Sequence, residues 1–479
     1  MPALLDHVLA VLATVAVLVL SVLASAHALL HKREVHASIT WAALIWLVPV
    51  IGAGAYWLLG MNRIRRHAAE LRAGAMKVRT APLVAPLAPE DLPLLIAGGP
   101  QLAELARLMD DASARPLLPG NRVAPLLDGD AAYPAMLAAI ERAEHSIALS
   151  TYIFDSSPIG RRFVAALAQA HARGVAVRVL LDDVGARYSF PQADRLLAAR
   201  GVPVARFLPM WRAPYYNLRN HRKLLVVDGR YGITGGMNIR AHHLLADNPR
   251  QPTRDLAFEV QGPVVAQLME VFAEDWAFTT KESLVGPDWF PPLPTAGNVA
   301  ARGVPDGPDE DFDRTRWTFL GGLACARRSV RVLTPYFLPE SAIATAFNLA
   351  AMRGVKVDIA VPEHGNLPVV EWAMWGHFPK VLDHGCRVWL TPRPFDHGKL
   401  MVVDDLWVAF GSANWDPRSL RLNFELGVEC YDPELATRMG QLFDERIAAA
   451  RQVRVADLAA RSLRLRLRDG VARLFTPYL

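Results

Sequence analysis

Two uninterrupted apolar stretches open the chain and alternating ones fill the rest. Residues 8 to 30 form a run of 23 residues broken only by small polar side chains and His27; residues 39 to 60 form a second of 22, with Trp41, Trp46, Tyr56 and Trp57 along it. At a rise of 1.5 Å per residue each is long enough to cross a hydrocarbon layer of about 30 Å. Pro49, Gly52 and Gly54 are tolerated in a membrane helix, because neighbouring groups can satisfy the backbone they free. A two-helix hairpin anchor over residues 1–66 is therefore expected. The rival reading is a cleaved signal peptide ending at Ala24-Ser25-Ala26. Against it, no basic residue precedes the first run and a second run follows at once.

Beyond residue 114 the pattern becomes strand, amphipathic helix, strand. SIALSTYIF (146–154) and VRVLTPYF (330–337) are β-rich, and each precedes a helix-like stretch that ends at a glycine, Gly174 or Gly354, before another apolar run. Buried-type strands alternating with helices imply an α/β fold. The same landmarks recur in one order. Arg173-Gly174-Val175 returns as Arg353-Gly354-Val355, and HRKLLVVD (221–228) returns 176 residues later as HGKLMVVD (397–404). Repeated landmarks with slowly drifting offsets indicate a duplicated domain. The expected organisation is a juxtamembrane basic segment and Pro-rich linker over 67–114, a first domain over 115–286, a Pro-rich linker over 287–310, a second domain over 311–450 and a basic tail over 451–479.

Composition adds three constraints. Of 479 residues, 52% are hydrophobic and 21% charged, which excludes a disordered chain. Lys and Arg number 52 against 47 Asp and Glu, a net +5 that fits an anionic partner without identifying one. Cys325, Cys386 and Cys430 are too few and too scattered for a disulfide framework, which points to a reducing compartment. Arg63, Arg65, Arg66, Arg72, Lys77 and Arg79 follow the second apolar run, whereas only Lys32 and Arg33 lie between the runs. The bias places the bulk of the chain on the cytoplasmic face.

The duplicated motif carries the chemistry. Residues two apart on a strand share a face, so His221 and Lys223 point together, as do His397 and Lys399. If the halves meet, two imidazoles flank one phosphate, and Lys223 and Lys399 neutralise the charge that builds up on it. Each motif is followed by small residues and an amide, Gly235-Gly236-Met237-Asn238 and Gly411-Ser412-Ala413-Asn414. Small residues admit a ligand close to the backbone, and Asn238 and Asn414 can donate to phosphoryl oxygens. Asp255 and Glu425 hold matched positions and can each orient an imidazole. Asp228 and Asp404 fall on the alternate face and suit an anchoring role in the strand or its turn. The spacing offers no metal cluster, and no cofactor is expected.

The paired H-x-K-x4-D with G-G/S-x-N resembles the phospholipase D superfamily, and nearly the whole chain resembles its bacterial cardiolipin synthase branch. The likeness extends to YNLRNHRK before the first motif, NWDPRSLRLNFELGVE after the second, and the tail ending RLFTPYL. It implies two tandem α/β domains packed with pseudo-twofold symmetry behind the membrane hairpin. It counts Asp228 and Asp404 with the catalytic set His221, Lys223, His397 and Lys399. It also implies transfer of a phosphatidyl group between two phosphatidylglycerol molecules through a phosphatidyl-histidine, His221 being the preferred nucleophile and His397 the acid and base. Gly236 in place of a serine removes a hydroxyl from the first half's phosphate cradle.

Phosphatidylglycerol and other anionic phospholipids are the expected partners, in a multi-pass cell-membrane protein with no nucleic-acid ligand; the residues do not fix an oligomeric state. Hydrolysis to phosphatidic acid, another acceptor lipid, and a catalytically dead lipid-binding scaffold are the alternatives. The tail residues Arg461, Arg464, Arg466, Arg468 and Arg473 among leucines read equally as an interfacial segment or as a surface helix. Trp372, Trp375 and Phe378 fit a packed helix face better than an acyl-chain path.

Overall fold

A computed structural model describes residues 2–31, 35–57, 78–96, 99–209, 218–309 and 311–476. It divides into two units, residues 1–73 and 74–479. The basic residues from Lys32 to Lys77 used to orient the chain lie outside the described residues. Arg79 is described, and it pairs with Glu274 on the body of the protein.

In the first unit, helix Pro2–His31 is long and apolar enough to cross a membrane; its best stretch has a mean hydropathy of 2.7. The second apolar run departs from expectation. It is not one spanning helix but a 13-residue helix, Val35–Leu47, followed by Pro49–Ala55. Pro49 lacks an N–H and its ring clashes with the preceding turn, so the helix stops before it and restarts with the proline in its first turn. Both pieces pack on the first helix, where Ala28, Ile45 and Tyr56 are buried together and His27 Nδ1 meets the Tyr56 hydroxyl at 2.8 Å.

The second unit is a mixed α/β body built twice. The first half supplies β1 (Leu118–Leu127), β2 (Ser146–Thr151), β3 (Ala176–Asp182), β4 (Val204–Phe207), β5 (Arg219–Asn220), β6 (Leu224–Val227), β7 (Tyr231–Gly235), β8 (Thr253–Arg254) and β9 (Leu256–Gln261). The second half supplies β10 (Val299–Asp306), β11 (Ser329–Leu333), β12 (Lys356–Pro362), β13 (Arg387–Thr391), β14 (Phe395–Asp396), β15 (Leu400–Val403), β16 (Trp407–Gly411), β17 (Asn423–Tyr431) and β18 (Arg451–Val453). Outward from the centre the first half runs β1-β9-β7-β6-β2-β3-β4, and the second runs β10-β17-β16-β15-β11-β12-β13-β18. The first seven strands of each order are equivalent, β18 being an addition at the outer edge of the second half, and β1 and β10 pair antiparallel where the halves join. This is the tandem, pseudo-twofold arrangement expected of a duplicated domain.

β10 falls within the stretch read as a Pro-rich linker. Apart from Val299 and Val304 its residues VAARGVPD are poor strand formers, but all are buried. Arg302, fully buried, is held by Glu429 at 2.8 Å and Asp110 at 2.6 Å. Burial and ion pairing thus override local propensity. The core between the halves is apolar and shared: Phe258 of β9 stacks on Phe410 of β16 with ring centroids 3.6 Å apart, among Leu268, Phe272, Leu426 and Phe443. At about 1.5–3 kcal/mol for each fully buried large side chain, this interface stabilises the two halves as one body.

Candidate active site

Both motif histidines sit in three-residue connections, 221–223 and 397–399, immediately before β6 and β15 rather than inside them. What positions them is a pair of very short strands. β5 pairs in parallel with the start of β17, matching Asn220 to Phe424. β14 pairs in parallel with β8, matching Asp396 to Arg254. The next residue of each strand is therefore His221 beside Glu425 and His397 beside Asp255. The backbone completes the lock, with His221 N donating to Phe424 O at 2.9 Å and His397 N donating to Arg254 O at 2.8 Å.

The consequence is that the dyads cross. His221 Nδ1 lies 3.0 Å from both oxygens of Glu425 in the other half, and His397 Nδ1 lies 2.8 Å from Asp255 Oδ2 in the other half. A carboxylate accepting from Nδ1 fixes the tautomer and leaves Nε2 with its lone pair for chemistry. Neither motif histidine takes its carboxylate from its own half.

The carboxylates are not equivalent. Glu425 also accepts from Asn423 Nδ2 at 3.0 Å and from the Ser412 hydroxyl. Burial would raise its carboxyl, but attraction to His221 and Lys223, with the hydrogen bonds from His221 and Ser412, brings it down to about 2. Asp255 has the Leu256 N–H at 2.8 Å as its other partner, and burial raises its carboxyl above the usual range. Ser412 therefore supports the orienting carboxylate and does not line a phosphate cradle. Gly236 stands opposite for a steric reason: a Cβ there would lie 2.4 Å from Asp255 Oδ1 and 3.2 Å from Lys399 Cδ.

The small residues serve the backbone too. A Cβ on Gly235 would meet Leu256 O at 2.4 Å, and one on Gly411 would meet Leu426 O at 2.3 Å. These glycines admit the neighbouring strand, not a ligand. The amides of Gly236 and Ser412 are likewise taken by Leu256 O and Leu426 O, each at 3.0 Å.

Lys223 and Lys399 are each 4% exposed. Their ammonium groups donate to the carbonyls of their own motif histidines, at 2.6 and 2.5 Å, rather than standing on the cleft wall. Burial pulls Lys223 down to about 7 and Lys399 to about 8, each opposed by Glu425 and Asp255. Burial likewise lowers the imidazoles, His221 to about 4 and His397 well below its ordinary value, with the two lysines adding to the effect. Burial thus favours neutral imidazoles beside the ionised Glu425, and a phosphate diester placed between the rings favours protonation of a histidine and of both lysines.

The histidines open onto one cleft of about 810 Å³ that also receives Asn238 and Asn414. Asn238 Oδ1 accepts from Ile153 N at 3.0 Å, which turns its NH2 group toward the cleft. The wall carries Arg219, Arg240, Arg393 and Arg418 against Asp416, a cationic balance suited to phosphate headgroups.

Asp228 and Asp404 are absent from this cleft and are structural. Four strand residues separate each from its motif lysine, about 13 Å or more at 3.3 Å per residue. Asp228 accepts the backbone N–H groups of Glu144, His145 and Ser146; Asp404 accepts those of Arg327, Arg328 and Ser329. Each clamps the entry to the neighbouring strand from a left-handed turn position, φ 51° and 56°.

Tyr152 and Tyr336 were not singled out from the sequence, yet both line the cleft, and Tyr152 packs edge-on to His221 with centroids 5.2 Å apart. Their recurrence in STYIF and TPYF was the available signal. His243 was also missed. It is buried at the wall of the cleft, within electrostatic reach of Asp255 and His397, with Nδ1 3.2 Å from Thr253 O, and no repeat partner marks it.

A duplicated α/β body that completes two histidine–carboxylate dyads only across its own midline, over one cationic cleft, defines an enzyme of phosphodiester transfer. Residues 136–276 and 321–447 match the family described as "Cardiolipin synthase, PLD-like domain", and residues 19–60 match "Phospholipase_D-nuclease N-terminal". The chain is 30% identical over 462 residues to a cardiolipin synthase of Geobacillus kaustophilus, covering 94% of this chain and 90% of that one. It is 31% identical over 465 residues to cardiolipin synthase A of Pseudomonas fluorescens, covering 96% of each.

A phosphatidylserine synthase structure from Haemophilus influenzae shares the fold, with a TM-score of 0.61 at 13% identity over 78% of this chain and all of that one. The chain belongs to the cardiolipin synthase family of phospholipase D-like proteins, and is a phosphatidyltransferase. With its long apolar N-terminal helix, it is membrane-associated.

Proposed function

We propose that this enzyme makes cardiolipin and glycerol from two molecules of phosphatidylglycerol. His221 Nε2 attacks phosphorus of the first lipid. His397 has taken up a proton at Nε2 when the anionic lipid binds; the bond from phosphorus to the glycerol headgroup breaks, and the departing oxygen takes that proton. The phosphatidyl group is then held on His221 by a P–N bond. His397 next removes the proton from a headgroup hydroxyl of the second lipid. That oxygen attacks phosphorus, the P–N bond breaks, and both imidazoles return to their starting state.

The observation that carries this reading is the crossed pair of dyads on one cleft, which gives one phosphodiester two imidazoles with opposite tasks. The unequal carboxylates support this division of roles. A phosphorylated imidazole that keeps its Nδ1–H is positively charged, and the firmly ionised Glu425 suits it. Asp255, held nearer to protonation, suits a histidine that gives and takes a proton. Lys223 and Lys399 stabilise the phosphoryl oxygens by their charge, and Asn238 and Asn414 by their amides. The N-terminal region anchors the enzyme in the membrane with the catalytic body on the cytoplasmic face, in line with the basic residues after position 60.

The test is a mass spectrum of the lipids formed when purified enzyme turns over headgroup-labelled phosphatidylglycerol in vesicles. The expected products are cardiolipin that keeps one headgroup label and labelled free glycerol in equal amounts. Phosphatidic acid without cardiolipin would replace this reading by hydrolysis.

A further inference from the structure

The C-terminal helix Leu463–Leu474 has two faces, and one of them is packed on the body of the protein. Asp469, Ala472 and Thr476 face inward and dock on helix Pro368–His377, where His377 Nε2 meets Thr476 Oγ1 at 3.0 Å. Arg461 and Arg468 both close on Asp469, at 2.6 and 2.8 Å, and lie over the rings of Trp375 and Trp372. Those two arginines and tryptophans are thus explained by packing, and Phe378 is in the core.

On the opposite side Leu463, Leu467, Val471 and Leu474 are 68, 60, 56 and 72% exposed. At 100° per residue they fall within one arc of about 80°. Arg464 borders the arc on one side, and Arg466 and Arg473 lie beyond its other edge; all three are exposed. Asp469, the one carboxylate of this helix, is buried and paired.

A continuous apolar stripe rimmed by guanidinium groups, with no exposed acid, is what an anionic bilayer surface complements: the leucines enter the acyl boundary and the arginines stay among the headgroup phosphates. The supporting helix begins next to Leu367, which is 50% exposed and lines the cleft together with Val370.

We propose that helix Leu463–Leu474 is a second membrane-binding element, separate from the N-terminal segment, which lies in the plane of an anionic bilayer surface on its Leu463, Leu467, Val471 and Leu474 face. It tethers the catalytic body from the far end of the chain. The proposal does not depend on the identity of the acceptor lipid.

The test uses the full chain, anchored in vesicles throughout, with Cys325→Ser to leave only the buried Cys386 and Cys430. An environment-sensitive fluorophore is placed at Leu467→Cys or, as a control, at Glu144→Cys, which is exposed at the strand end away from the cleft. In vesicles one-third phosphatidylglycerol, quenching of the 467 probe by aqueous iodide should fall at least fivefold relative to phosphatidylcholine vesicles, with a blue shift in emission. The 144 probe should not change. Arg464→Glu with Arg466→Glu should abolish the difference between the two lipids.

A 467 probe as accessible as the control in both vesicle types would overturn the proposal. So would protection that is equal in both lipids, or protection that rises with protein density in phosphatidylcholine, since the last outcome means that a second copy of the chain covers the stripe.

Discussion

Glu425→Gln tests the crossed dyad with the least change of shape. Glu425 is fully buried, and its two oxygens are each 3.0 Å from His221 Nδ1. Glutamine keeps the length and the oxygen but removes the charge. During the reaction the phosphorylated His221 ring carries a positive charge about 4 Å from the centre of the carboxylate. At an effective dielectric of about 20 that attraction amounts to roughly 4 kcal/mol, hence about a thousandfold in rate. Since the charge appears only as the P–N bond forms, the loss should fall on kcat with KM nearly unchanged.

The assay is the initial rate of cardiolipin formation in mixed vesicles, with thermal unfolding measured alongside to confirm that the variant folds. Asp255→Asn should also lower kcat, through His397. Its effect on the first step, read as the burst of leaving group, should shrink when the glycerol headgroup is replaced by a nitrophenolate, which leaves without a proton, whereas that of Glu425→Gln should persist. A Glu425→Gln enzyme within threefold of the parent kcat would refute the pairing of His221 with the other half.

Other consequences are independent of this one. Asp404→Ala removes the acceptor for three backbone N–H groups and should cost about 3 kcal/mol of stability, read as a lower denaturation midpoint, with kcat per folded molecule unchanged within twofold. Gly236→Ser puts a side chain where a Cβ already meets Asp255 Oδ1 at 2.4 Å, and steady-state kinetics should show at least a tenfold loss of kcat. Burial lowers Lys223 to about 7, so in the empty site its charge is complete below pH 7 and lost as the pH rises through that value. A bound phosphodiester restores the proton. KM should therefore carry a proton-uptake penalty above pH about 7 that Lys223→Arg lacks, because guanidinium stays charged. The ratio of parent to variant KM should rise by about tenfold per pH unit there and stay flat below it.

What was legible in the sequence was what the duplication wrote twice. His221 and His397, Lys223 and Lys399, and Asn238 and Asn414 stand at one spacing, Asp255 and Glu425 follow in the same order, and the strand–helix alternation around them gave the tandem α/β class. Their partners were not legible. The pairing of each histidine with the carboxylate of the opposite half depends on β5, β8 and β14, strands of two residues each that are too short to carry a periodic signal. Their contacts span well over a hundred residues of chain.

β10 was hidden by Ala, Gly, Pro and Arg, residues whose place in a strand comes from burial and from the Arg302–Glu429 pair rather than propensity. Ser412 and the glycine pairs were assigned to a ligand because spacing alone does not say which neighbour a hydroxyl or a missing Cβ faces. At Pro49 the break was visible, but its effect depends on how the surrounding helices pack.

The central claim is that His221 bonds to phosphorus while His397 moves the proton, and His397→Asn separates the two tasks. With a phosphatidyl nitrophenyl ester the first step needs no acid and the second lacks its base. Alkaline quenching followed by peptide mass spectrometry should then find a burst of about one nitrophenolate per enzyme and a phosphatidyl group on the peptide containing His221. No burst, or an adduct anywhere other than His221, would contradict it.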